Sequence, residues 1–135
     1  MAWNRFVVLL VIAVGWFPLA SGRTQTKAPE AAYLDYLAAV KKAASVDQIA
    51  PHLSSEFWTM LKGQPQEAAK WLQHRKADAT AMTDFKVTKE SISGDRCVLD
   101  ATARDGADRA STGKIGLVRE KGVWKVDEET WVTPH

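Results

Sequence analysis

The residues whose types can do chemistry are three histidines, one cysteine and a scattering of acids. His52 and His74 fall on different helical elements, and His135 is the last residue. No two of them have metal-ligand spacing, and none has a cysteine partner. The pattern therefore predicts no metal and no cofactor. His52 follows Pro51 at a helix junction, where capping or a surface place is expected. Cys97 alternates with Leu99 and Ala101, which predicts a small buried hydrophobe. A nucleophilic cysteine needs a base, and no histidine lies close in sequence. Asp127-Glu128-Glu129 reads as a solvated strand end, since calcium needs more oxygen ligands at fixed spacing. There is no glycine-rich phosphate loop and no G-x-S-x-G elbow. General acid–base chemistry would need a single carboxylate, such as Asp35 or Glu56, turned inward from a helix.

The aromatic residues offer binding rather than reaction. Of six tryptophans, Trp3 and Trp16 belong to the N-terminal segment. Trp58, Trp71, Trp124 and Trp131 remain. Phe57, Trp58, Trp71, Phe85 and Trp124 are the expected lining of an apolar pocket, with plain core packing as the competing expectation. Leu37, Phe57, Trp71, Leu72, Phe85, Leu99, Leu117, Trp124 and Val126 are expected to be largely buried.

The elements that must position these residues follow from periodicity. Pro29 suits the first position of a helix and Glu30 its positive end. Tyr33, Leu37, Val40 and Ala44 then recur at helical spacing, with Tyr33 in the apolar stripe. Lys41 and Lys42 sit in the last turn. Ser45 to Gln48 has a capping-box pattern, predicting a short helix that carries Ile49 and is disturbed by Pro51. Ser54 then caps a restart with Phe57, Met60 and Leu61 on its apolar face, and Gly63 stops it. Pro65 opens a third helix with Ala68, Trp71, Leu72 and Arg75 at spacings of three and four.

The period changes from 3.6 to 2 after Met82. Phe85 and Val87 mark the first strand, and Ser93-Gly94-Asp95 a turn. Cys97, Leu99, Ala101 and Ala103 mark the inner face of the second strand. Asp105-Gly106 is a hairpin signal. A third strand runs from about Arg109 to Arg119, where Gly113 and Gly116 mark a bulge or bend. The fourth runs from Val123 to Val132. A two-residue loop at Lys121-Gly122 pairs Leu117 with Val126 and Arg119 with Trp124, so the apolar residues share a face. Helices first and strands later predict an α+β class with an antiparallel meander of four or more strands, whose apolar face the helices cover.

Length and charge bound the rest. Met1 to Arg5 is a short charged n-region, and Phe6 to Ala20 is apolar throughout. Ala20-Ser21-Gly22 supplies small residues, so 1–22 reads as a secretory signal peptide. Its core is short of the ~20 residues of a spanning helix, so the anchor reading is the weaker one. The expected order is a signal peptide over 1–22, a flexible leader over 23–28 and one domain over 29–135, exported to the periplasm or outside the cell. Removing the signal segment leaves 17 basic and 16 acidic residues, a net charge of +1. Such a balance gives no reason to expect nucleic acid or an anionic membrane as partner. Lys41-Lys42 and Arg75-Lys76 read as solvated helix surface. One cysteine cannot close an internal disulfide.

The order of three helices, then a bent meander ending in a G-x-W-K-V hairpin, resembles the nuclear transport factor 2-like superfamily. The residues that carry the likeness are Tyr33-Leu34-Asp35-Tyr36-Leu37, Ile49 through Leu61, and Lys114 to Asp127. It covers about Glu30 to Val132, and is nearest to the small exported bacterial domains of that superfamily. The resemblance implies a cone: helices on a strongly curved sheet. The superfamily includes ketosteroid isomerases, polyketide cyclases, dehydratases and many non-enzymatic modules, so the fold does not choose a function. The isomerases' carboxylate base and oxyanion donors find no match here. Asp84 and Asp100 alternate with apolar neighbours and point away from the core. The expectation is an exported, non-enzymatic module that binds a small apolar ligand or an envelope protein. The alternative is a small cofactor-independent lyase or isomerase acting in the cone. The resemblance also implies a homodimer through the sheet.

Overall fold

The computed structural model describes residues 27–135. The expected signal segment and residues 23–26 of the leader lie outside the described residues. Three helices come first: α1 (Pro29–Lys42), α2 (Ser55–Lys62) and α3 (Pro65–Ala81). Four strands follow: β1 (Thr83–Ser93), β2 (Arg96–Arg104), β3 (Ala110–Glu120) and β4 (Val123–Val132). They form one antiparallel sheet in the order β1-β2-β3-β4, a meander that does not close. The class is α+β, as the change of period predicts. Among the described residues no helix is long and apolar enough to cross a membrane.

The helices start and stop where local chemistry requires. Pro29 and Pro65 open α1 and α3, where a missing N–H costs nothing. The Ser54 hydroxyl accepts from the Phe57 amide at 3.0 Å and caps α2. Gly63 ends α2. Ser45 does not cap by its side chain. Val46–Gln48 and Ala50–His52 are single 3₁₀ turns, because Pro51 prevents a longer helix.

The core lies between the helices and one face of the sheet. Tyr33, Tyr36, Leu37 and Val40 of α1 are buried, at spacings of three and four. Ala68, Leu72, Arg75 and Ala79 are the buried stripe of α3. Cys97, Leu99, Ala101 and Ala103 of β2 meet Ile115 and Leu117 of β3 and Trp124 and Val126 of β4. Each fully buried Leu, Ile or Val here is worth about 1.5–3 kcal/mol over an exposed one. Of the expected core, Trp71 and Phe85 are only half-buried. The other seven are buried.

The hairpins differ in their turns. Lys121 and Gly122 both take positive φ, 52° and 80°, as a two-residue primed turn requires. Leu117 pairs with Val126 and Arg119 with Trp124, the expected register. Asp105-Gly106 is not a two-residue turn. The connection runs over five residues, because the Asp105 carboxylate accepts from the Ala107 and Arg109 amides at 2.9 Å each.

One irregularity in β4 decides what faces inward. Gly116 pairs with Glu128 and Leu117 with Val126, so Asp127 is an extra residue. Strict alternation from Trp124 and Val126 would turn Glu128 in and Glu129 out. The bulge reverses this, and Glu129 and Trp131 point into the helix-covered face, opposite Ile115 and Gly113. The chain before α2 pins it. Ser54 donates its hydroxyl to Asp127 at 2.7 Å and its amide to the Val126 carbonyl at 2.8 Å. Leu53 bridges to Val126 as well, so the otherwise open edge of β4 is partly covered.

Candidate functional site

Glu129 is the centre of a buried polar cluster, and its side chain is 6 % exposed. One carboxylate oxygen accepts from the Tyr36 phenol at 2.9 Å and from Arg75 Nε at 2.7 Å. The other accepts from the Tyr33 phenol, from Arg75 Nη2 and, at 3.3 Å, from the Trp131 indole N–H. The indole N–H also reaches the Tyr33 oxygen at 3.2 Å. A carboxylate offers about four lone-pair sites, so this one is saturated.

The four partners come from three parts of the sequence. Tyr33 and Tyr36 lie three residues apart on α1 and so share its buried face. Arg75 stands within the apolar stripe of α3 and grips Glu129 with two nitrogens. Trp131 follows Glu129 by two residues, on the same strand face. Its indole lies flat on Gly113, where a Cβ would come within 2.7 Å of the ring.

The electrostatics follow from this packing. Burial alone would push the Glu129 carboxyl up. The hydrogen bonds and charge of Arg75, then the two phenols, outweigh it and hold the group below the usual carboxylate range. Burial, followed by the charge of Glu129, pushes both phenols far above their ordinary value. Burial disfavours charge on Arg75, and the bonds to Glu129 overcome it, so the guanidinium stays charged. The cluster at neutral pH is one ion pair and two neutral tyrosines.

Two adjoining clefts open beside it. One, of about 240 Å³, has Phe57, Trp71, His74 and Trp131 on its walls and Arg75 and Glu129 beside them. The other, of about 190 Å³, lies between Met82, Ala103 and Ser111, with Asp105 and Arg104 at its edge. Arg75, Asp78 and Trp131 border both. The α3 side chains Trp71, Arg75 and Asp78 form one wall because they recur at helical spacing, and Met82 extends it just past the helix end.

The expected pocket residues are only partly brought together. Phe57 and Trp71 meet edge to face, ring centroids 5.5 Å apart, and both line the larger cleft. Phe85 packs against Tyr33 at 5.5 Å and Trp131 at 6.3 Å, behind the cleft. Trp58 is half-buried elsewhere on α2, with the Lys62 ammonium 5.5 Å from its ring. Trp124 is buried under Arg119, whose guanidinium lies 4.7 Å from the ring. Neither lines the cleft.

Two expectations about charge are corrected. Glu129 is no solvated strand end, because the bulge turns it inward. Arg75-Lys76 is no solvated pair. Arg75 is 8 % exposed, and Lys76 donates to the Ala43 carbonyl at 2.7 Å. The helix acids do not turn inward: Glu56 is exposed, and Asp35 pairs with Lys27. Asp84 and Asp100 point away from the core, the latter toward Lys114 at 3.0 Å. His52 is half-buried, and burial lowers its pKa.

Sequence reasoning missed Glu129, gave Arg75, Tyr36 and Trp131 no place in the site, and read Tyr33 as part of the apolar stripe of α1. A signal for them exists. Trp131 is out of phase with Trp124 and Val126 on one strand, and only a bulge between them brings all three side chains to one face. No protein-family model and no curated protein matches the sequence.

Proposed function

We propose that this chain is an exported, non-enzymatic module of the nuclear transport factor 2-like kind. It binds a small, largely apolar ligand in the cleft beside Glu129. The observation that carries this reading is the saturation of Glu129. A general base needs an available lone pair and a pKa near the working pH. Here every lone pair has a donor, and the carboxyl is held low. The cluster ties α1, α3 and β4 together and gives the cleft a fixed wall. Phe57, Trp71 and Trp131 supply the apolar surface. Export is supported by the charged, apolar and small-residue order of 1–22.

The second reading, a cofactor-independent lyase or isomerase, draws on one fact: Glu129 borders the cleft. It requires a carboxyl pKa raised toward neutrality, opposite to the direction found. An envelope protein remains the alternative ligand. A second copy through the sheet would use its outer face, where Val98 and Val132 are exposed.

Tryptophan fluorescence tests binding. Small aromatic ligands should change the emission of the native protein and leave Trp71→Phe and Trp131→Phe variants with a reduced response. An unchanged response in both variants would place the ligand elsewhere.

A further inference from the structure

We infer that the cleft takes a small, flat, uncharged ligand with a carbonyl-type oxygen, which accepts from Nη1 of Arg75. The inference rests on the binding reading above and names its ligand class. Arg75 is 8 % exposed. Its Nε and Nη2 donate to Glu129 and Tyr33. Among the described residues nothing accepts from Nη1, although the side chain borders both clefts. A donor that opens on a cleft bonds water in the free protein, and a ligand oxygen that takes the water's place keeps the hydrogen bond and frees the water.

Charge selects among oxygen ligands. Glu129 already neutralises Arg75. Asp78, exposed and bordering both clefts, adds a negative charge at the rim. A carboxylate ligand would meet this excess of negative charge. A cation would bring no acceptor to Nη1. An uncharged carbonyl oxygen suits both groups. Shape and size select further. Phe57 and Trp71 present an edge-to-face wall, and Trp131 lies flat on Gly113. The larger cleft, about 240 Å³, is below the ~300 Å³ at which pockets for drug-sized ligands begin, so a single ring fits.

The experiment is calorimetric titration of the full chain with benzamide, benzoate, benzylammonium and toluene. Benzamide should bind at least ~10-fold tighter than the other three. Arg75→Lys, with its fold checked by circular dichroism, should bring benzamide down to the level of toluene. If that variant does not fold, Asp78→Ala serves, and it should narrow the gap between benzamide and benzoate. Benzoate, benzylammonium or toluene binding as tightly as benzamide would overturn the ligand class and leave the binding reading standing. An unchanged benzamide affinity in a folded Arg75→Lys, or an unchanged gap in Asp78→Ala, would overturn the class as well. No binding by any of the four would overturn the binding reading and this inference with it.

Discussion

Gly113 and Trp131 are cross-strand partners, and the glycine is what lets the indole lie against the strand. A Cβ at Gly113 would stand 2.7 Å from three carbons of the ring, far inside contact distance. Gly113→Ala should therefore displace the indole and break its bonds to Tyr33 and Glu129. The expected cost is about 1–3 kcal/mol in chemical denaturation, in the range of other overpacked sites. Unchanged stability would show that the ring has room to move.

Ser54 joins two local features: it caps α2 and holds the bulge at Asp127. Ser54→Ala should cost about 1–2 kcal/mol, as lost caps do. Asp127→Ala should weaken the same clamp. Because the two side chains share a bond, the double variant should cost less than the two losses added together. Strict additivity in a double-mutant cycle would deny the clamp.

The α+β class and the order of helices and strands were legible in the sequence, and the site largely was not. Periodicity placed all three helices and four strands, and the Lys121-Gly122 turn set the pairing of Leu117 with Val126. Asp105-Gly106 misled because its own carboxylate caps a longer loop. The polar cluster was hidden by one residue. Alternation carried from Trp124 and Val126 turns Glu129 to solvent, and only the extra residue Asp127 turns it back. The support for that bulge comes from Ser54, 73 positions away in the chain, a distance no local pattern spans. Arg75 was legible as a member of the α3 stripe, but a buried arginine requires a partner, and that partner was on the wrong face in the regular reading.

Removing one member of the buried ion pair should be far more harmful than its share of hydrogen bonds suggests. Arg75→Ala leaves the Glu129 carboxylate buried without a counter-charge. The expected loss is about 3–5 kcal/mol. Arg75→Ala combined with Glu129→Gln should recover part of it, because the charge is then gone. A thermal unfolding series on the three variants decides this. If the double variant proved no more stable than Arg75→Ala, the penalty would not be electrostatic.

Acid should destabilise the protein through Glu129. Its folded pKa lies below its unfolded value. Its contribution is then fully present above the ordinary carboxylate value of about 4.3, and is lost as pH falls through the lower folded value. Glu129→Gln should flatten this acid limb. At the other end, Tyr33 and Tyr36 have raised pKa values. Their contribution is complete below about pH 10 and declines as pH rises toward the folded values. Tyr36→Phe should flatten the alkaline limb. Thermal midpoints followed across both limbs check each sign, and acid and alkaline profiles unaltered by the two substitutions would contradict this assignment.

The most direct test is a pH titration of the Glu129 side-chain carboxyl carbon by NMR in the folded protein. The chemical shift should stay that of an ionised carboxylate from neutral pH down through the ordinary carboxylate value, with its inflection below that value. That result leaves Glu129 as a saturated anion that fixes the wall of the cleft. An inflection at about 6 or above would contradict the account, for it would place a carboxyl tuned for proton transfer at the cleft.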